Sequence, residues 1–132
     1  VRPWQHVLEP LSGYLLLCQE LFHQPDRFAE AWNFGPRASD EKPVGSLADL
    51  MVECWGDGAN WVCGEDSNQP HEANSLRLDC RKAKTKLDWQ PQWSLREATE
   101  NTLIWYKKWH CGGNMNEFSM QQIKDYQKAL LA

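Results

Sequence analysis

The stretch LDWQPQWSLREATENTLIWYKKW, residues 87–109, carries the clearest structural signal in the chain. Ser94 and Glu97 form a capping box, in which the hydroxyl takes the third helical amide and the carboxylate reaches back to the cap amide. Leu95, Ala98, Thr102, Trp105 and Trp109 then recur along one face, so an amphipathic helix is expected with that face inward. Gly112-Gly113 ends it. Ser119 reads as the cap of a last helix, MQQIKDYQKALL.

Upstream of this stretch the elements are shorter. Pro10 suits a helix start, and Leu11, Leu15, Cys18 and Phe22 repeat at helical spacing. That helix should stop at about His23, because the residue before Pro25 avoids the helical region. Residues 31–34 read as a buried strand closed by Gly35-Pro36. Ser46, with Asp49, reads as the cap of a helix whose stripe is Leu47, Leu50, Met51, Cys54 and Trp55, ended by Gly56-Asp57-Gly58. NWVCG (60–64) and SLRLD (75–79) read as short strands on either side of a loop. Asp79 then caps a helix from Cys80 to Leu87. The expected order is helix, strand, helix, strand, strand, helix, helix, helix. Strands so short and scattered cannot make a self-sufficient sheet.

The whole chain has 132 residues, the size of one domain, and eight Trp, which suit either a filled core or half of an interface. Core packing and a carbohydrate-stacking platform are both open for them. A net charge of −4 argues against nucleic acid or an anionic membrane as partner. No run of 18 apolar residues predicts a spanning helix. Cys18, Cys54, Cys63, Cys80 and Cys111 are scattered without a Cys-x-x-Cys pair, as free thiols of a reducing cytosol would be, and no metal site is expected. The chain opens VRPWQHVLEP, with neither an initiator Met nor a signal peptide. The expectation is a cytoplasmic chain cut from something longer.

Catalytic constellations are missing from the sequence. There is no Gly-x-Gly-x-x-Gly, no P-loop, no Gly-x-Ser-x-Gly, and no Tyr with Lys four residues on. What remains are polar residues at element ends. Arg2 reads either as a solvated surface arginine or as a bidentate anion contact. His71 and Glu72 sit in the loop EDSNQPHEAN, where His71 reads as an ordinary loop histidine or as a ligand contact.

Five stretches, RPWQHVLEPLSGYLLL, AWNFGP, PHEANSLRLDCRKAK, residues 87–109 and NMNEFSMQQIKDY, together resemble the C-terminal part of the CDP-glucose 4,6-dehydratases. These form a branch of the extended short-chain dehydrogenase/reductase family of nucleotide-sugar enzymes. Arg-x-Trp-x-x-Val before a helix, Asn-x-Gly, and Leu-x-Trp-x-Pro are shared across that family. RPWQHVLEP, PHEA and the Gln-Gln-Ile-x-x-Tyr tail are closer to the CDP-glucose branch. The resemblance implies an α/β architecture: a mostly helical C-terminal substrate-binding portion, residues 1–132, of a two-domain Rossmann-type enzyme, with a few short strands. The NAD-binding Rossmann domain would lie outside this chain, and the whole enzyme would be a cytoplasmic homo-oligomer of deoxysugar and O-antigen biosynthesis.

In the family, C4 of the glucose is oxidised, water is eliminated across C5 and C6, and the hydride returns to C6, regenerating NAD. The Arg of Arg-x-Trp faces the diphosphate, which implies that role for Arg2. Many relatives carry an Arg in the later loop; here Gln69 takes that place, with His71 and Glu72 downstream as candidate nucleotide-side contacts. None of the residues of this chain is expected to be catalytic. Two rivals stay open, another nucleotide-sugar epimerase or dehydratase and a free-standing binding module without catalysis. A Gly-rich strand-to-helix turn and Tyr-x-x-x-Lys upstream of Val1 would separate them.

Overall fold

The computed structural model describes residues 1–64 and 75–131. Among these residues six α-helices run in chain order: α1 (Leu8–His23), α2 (Pro25–Phe28), α3 (Val44–Trp55), α4 (Arg81–Lys86), α5 (Leu95–His110) and α6 (Met115–Leu130). Two strands of two residues each, β1 (Arg2–Pro3) and β2 (Glu41–Lys42), pair antiparallel with Arg2 opposite Lys42 and Pro3 opposite Glu41. The described part is therefore mostly helical, with short strands.

The capping box of α5 is formed as expected: Ser94 takes the Glu97 amide and the Glu97 carboxylate takes the Ser94 amide. Asp40 adds a third partner, its Oδ1 accepting from the Leu95 amide at 3.1 Å. Arg37 donates to the carbonyls of Pro91 and Gln92 at 3.0 and 3.1 Å. The turn just before β2 is thus fastened to the loop that starts α5. At the other end, α1 stops at His23, before Pro25. Helix α4 begins at Arg81 with Cys80 at its cap position and no side-chain cap, so Asp79 is not the cap expected of it; from one position earlier its carboxylate takes the Arg81 amide at 3.0 Å.

The core joins Phe28, Phe34, Ala83, Leu87 and Trp89, with Leu16, Leu17, Leu21 and Trp32 packed on it. Burying rings such as Phe28 and Phe34 contributes about 1.5–3 kcal/mol each. Gly13 of α1 lies directly against the Phe34 ring, where any side chain would collide. Trp89 donates to Ser12 Oγ at 2.9 Å, so its buried N–H is satisfied. A second layer forms where α3 and α6 both pack on α5.

Several expectations fail here for identifiable reasons. Residues 31–34, 60–64 and 75–79 are not strands. In the first, carbonyls are taken by side chains instead of a ladder: Lys82 Nζ donates to Ala31 and Gln5 Nε2 to Phe34. In the second, Val62 is 86% exposed and Trp61 is pinned to α3 by a bond from Nε1 to Asp49. The third contributes one backbone bond, Leu76 N to Val1 O at 3.0 Å. Helix α3 begins at Val44, not after Ser46, with Pro43 supplying the turn and no side-chain cap. Helix α6 begins at Met115 because Asn114 caps it, and Ser119 instead accepts from Trp105 Nε1 at 3.0 Å.

The inward faces also differ from the expected stripes. On α1 the buried positions are Glu9 and Gly13, with Leu16, Leu17 and Leu21 on the core. The expected stripe lies in solvent, Leu11 44%, Leu15 73% and Phe22 85% exposed. On α5 the buried residues are Leu95, Ala98, Thr99 and Leu103, and Trp109 is exposed. The eight Trp divide: Trp89 is core, Trp61 and Trp109 are exposed, and the rest are half-buried.

Candidate functional site

Arg2 sits on β1, half-buried, with Nη1 donating to the Val1 carbonyl at 3.1 Å. The strand is held from three sides. Lys42 and Glu41 pair with it, Trp4 Nε1 reaches the Lys42 carbonyl at 2.9 Å, and Leu76 N reaches the Val1 carbonyl. Glu41 is engaged by Arg77, Nε to Oε2 at 3.2 Å, with the Glu41 side chain 9% exposed. The backbone that carries Arg2 is thus held on both edges.

His71 and Glu72 lie outside the described residues, as does Gln69. Leu76, a few positions later in the chain, is the described residue that returns to Val1 and so to the Arg2 strand.

Immediately after Arg2 the chain builds a buried polar knot that sequence reasoning missed. His6 is 7% exposed, and its Nδ1 accepts from the amide of Leu8, the first residue of α1, at 3.2 Å. That bond requires an unprotonated Nδ1, so the ring is the Nε2–H tautomer. Burial lowers its pKa to about 4, keeping it neutral at pH 7. Its ring stands edge-on to Trp93 at 4.9 Å, and Trp93 stands edge-on to Tyr126 at 5.0 Å.

At the centre of the knot Glu9 is 1% exposed. Oε1 accepts from the Gln92 and Trp93 amides at 3.1 and 2.7 Å, and Oε2 accepts from Gln92 at 3.0 Å and from the Tyr126 hydroxyl at 2.7 Å. Burial, then Glu9, pushes the Tyr126 phenol well above its ordinary range, so it stays a donor. A carboxylate in the first turn of α1 also meets the positive end of that helix. The knot ties α1, the 90–93 loop and α6 together. The one sequence signal for it was an acid at a helical position facing away from the strongest apolar stripe.

Beside the knot, a cavity of about 470 Å³ opens between the 5–8 segment, α5 and α6, lined by Gln5, His6, Trp105, Tyr106, Gln122 and Ile123. Gln5 Oε1 is buried with no hydrogen-bond partner among the described residues. The five thiols are all free. Among the described residues no group of three or more His, Cys, Asp or Glu is placed to hold a metal, and no helix is long and apolar enough to cross a membrane.

No family model matches the chain. It is 47% identical, over 129 residues and 98% of its length, to a CDP-glucose 4,6-dehydratase of Salmonella typhimurium strain LT2. The chain spans 36% of the length of that relative.

Proposed function

We propose that the chain is the C-terminal, substrate-binding portion of a CDP-glucose 4,6-dehydratase, a lyase that converts CDP-glucose to CDP-4-dehydro-6-deoxyglucose and water. Identity of 47% over 129 residues, almost the whole chain, carries the reading. Arg2 contacts the diphosphate of the sugar nucleotide. His71 and Glu72 serve the nucleotide side of the same ligand.

Among the described residues none forms a cradle for NAD. A dinucleotide cradle needs a strand running through a glycine-rich turn into a helix. The strands described here are two residues long, and neither leads into such a turn. In this reading NAD is held by a Rossmann domain of the same enzyme, and no hydride step is assigned to these residues. What this chain does is bind, orient and shield the sugar nucleotide while that domain reacts with it.

The exposed face of α1, with Leu11, Tyr14, Leu15 and Phe22 44–85% exposed, supports a partner of that kind. A contiguous apolar helix face marks an interaction surface, and the Rossmann half is its occupant in this reading. The assembled enzyme is a cytoplasmic homo-oligomer.

The test is turnover. The gene segment upstream of Val1 should encode a Gly-rich strand-to-helix turn and Tyr-x-x-x-Lys. The protein carrying it should remove one water from CDP-glucose, read as a mass loss, while residues 1–132 alone should remove none. Turnover by the 132-residue chain, or an upstream segment lacking both motifs, overturns the proposal.

A further inference from the structure

We infer that the cavity between the 5–8 segment, α5 and α6 binds an uncharged nitrogen heterocycle, one whose edge carries a hydrogen-bond acceptor beside a donor. Its volume of about 470 Å³ is that of a small-molecule site, for which about 300–1,000 Å³ is usual. The 5–8 segment and α6 bring its polar groups. His6 and Gln122 both line it and are only 7% and 9% exposed. Each spends one polar atom on the backbone and keeps the other. His6 Nδ1 accepts from the Leu8 amide, which leaves Nε2–H an unspent donor. Gln122 Nε2 donates to the Asn101 carbonyl at 2.7 Å, which fixes the amide and leaves Oε1 an unspent acceptor. Neither atom has a partner among the described residues, and neither is sealed from solvent.

Helix α5 brings ring surface. The Trp105 N–H is spent on Ser119 Oγ at 3.0 Å and the Thr102 hydroxyl on the Ala98 carbonyl at 2.7 Å. The cavity therefore meets the rings of Trp105 and Tyr106, with Ile123 beside them. Flat aromatic walls favour a flat occupant.

Charge narrows the occupant further. Among the described residues no Asp, Glu, Lys or Arg lines the cavity, and His6 is neutral at pH 7. An ion placed there would lose hydration and gain no counter-charge. A plain hydrocarbon ring would leave the His6 donor and the Gln122 acceptor unpaired. A heterocycle with an amide- or amidine-like edge, as in a pyrimidine base, satisfies both. Such a ring has two sources, a free base or nucleoside and the base of the sugar nucleotide; the second rests on the proposed function and deepens it.

The experiment is calorimetric titration of cytidine, toluene and CDP-glucose into the complete protein, wild type, Ile123→Trp and Gln122→Met. Ile123 is 36% exposed, so a larger side chain can fill the cavity without entering the core. Cytidine should bind wild type, at least about tenfold more weakly in Ile123→Trp, and about five- to tenfold more weakly in Gln122→Met, the scale of one hydrogen bond. Toluene should bind wild type at least about tenfold more weakly than cytidine. In protein labelled with ¹⁵N at histidine, cytidine should shift the His6 Nε2 resonance and toluene should not, a readout that needs no variant. If Ile123→Trp weakens CDP-glucose as it weakens cytidine, the ring is the base of the sugar nucleotide; if it weakens cytidine alone, the ring is a free heterocycle. Both results support the site. Wild type that gives no heat with cytidine, Ile123→Trp that binds cytidine as wild type does, or toluene that binds as tightly as cytidine overturns it. Wild type that binds cytidine in this cavity but never binds CDP-glucose overturns the proposed function and leaves the site standing.

Discussion

Removing one oxygen from Tyr126 tests the buried knot that supports the site. In Tyr126→Phe the ring keeps its edge-on contact with Trp93 and its place in the core, but the 2.7 Å bond to Glu9 Oε2 and the 3.2 Å contact with Ser12 Oγ are lost. Glu9 is 1% exposed, so water has no route to replace the hydroxyl. The carboxylate keeps the Gln92 and Trp93 amides and loses one charge-assisted donor. Such a bond is worth about 1.5–3 kcal/mol. Urea unfolding at pH 7.5, followed by Trp fluorescence, should show a loss of about 2 kcal/mol. With a slope of about 2 kcal/mol per molar urea, the midpoint should fall by about 1 M. The same substitution in a Glu9→Gln background should cost less, because an amide is the weaker acceptor and its NH₂ is misplaced beside the backbone donors. A coupling of about 1 kcal/mol in this double-mutant cycle is the expected signature. A Tyr126→Phe midpoint equal to wild type would refute the account of the knot.

Further outcomes follow from other parts of the molecule. His6 has its folded pKa lowered to about 4 from the ordinary 6.5, so between those values the unfolded chain binds the extra proton. Stability from this group is full above pH 6.5 and is lost as pH falls toward 4, by about 3 kcal/mol; His6→Gln should flatten the slope, and an unchanged acid limb would contradict it. The isolated chain should self-associate through α1, and Leu15→Glu with Phe22→Glu, at 73% and 85% exposed sites, should lower its light scattering without altering its helical circular dichroism. Unchanged scattering would place the sticky surface elsewhere. His71→Ala should weaken CDP and CDP-glucose equally, by about 1 kcal/mol at neutral pH. A loss confined to CDP-glucose would move His71 to the sugar.

What was legible in the sequence was local. The Ser94–Glu97 box and the stop of α1 before Pro25 each depend on residues a few positions apart, and each is present. What was not legible depended on partners far along the chain. The strongest apolar stripe of α1 faces solvent because Glu9, on the other side, is claimed by Gln92, Trp93 and Tyr126, more than eighty positions downstream. Helix α6 starts early because Asn114, and not Ser119, supplies the cap, while Ser119 is drawn to Trp105. The ribbon of two-residue strands is too short to leave any alternation, so the pairing of Arg2 with Lys42 had no signature. Arg2 itself stood out only through the family motif that it resembles. The short runs at 31–34 and 60–64, each with one Trp, imitate strands because apolar density marks burial as readily as pairing.

The most direct test of the central claim is the affinity of the complete protein for CDP-glucose, wild type against Arg2→Ala, by calorimetry. The account predicts binding by wild type, weakened by about 1.5–3 kcal/mol in Arg2→Ala and recovered only in part by Arg2→Lys, with NAD affinity unchanged. An Arg2→Ala protein that binds CDP-glucose as tightly as wild type would contradict it.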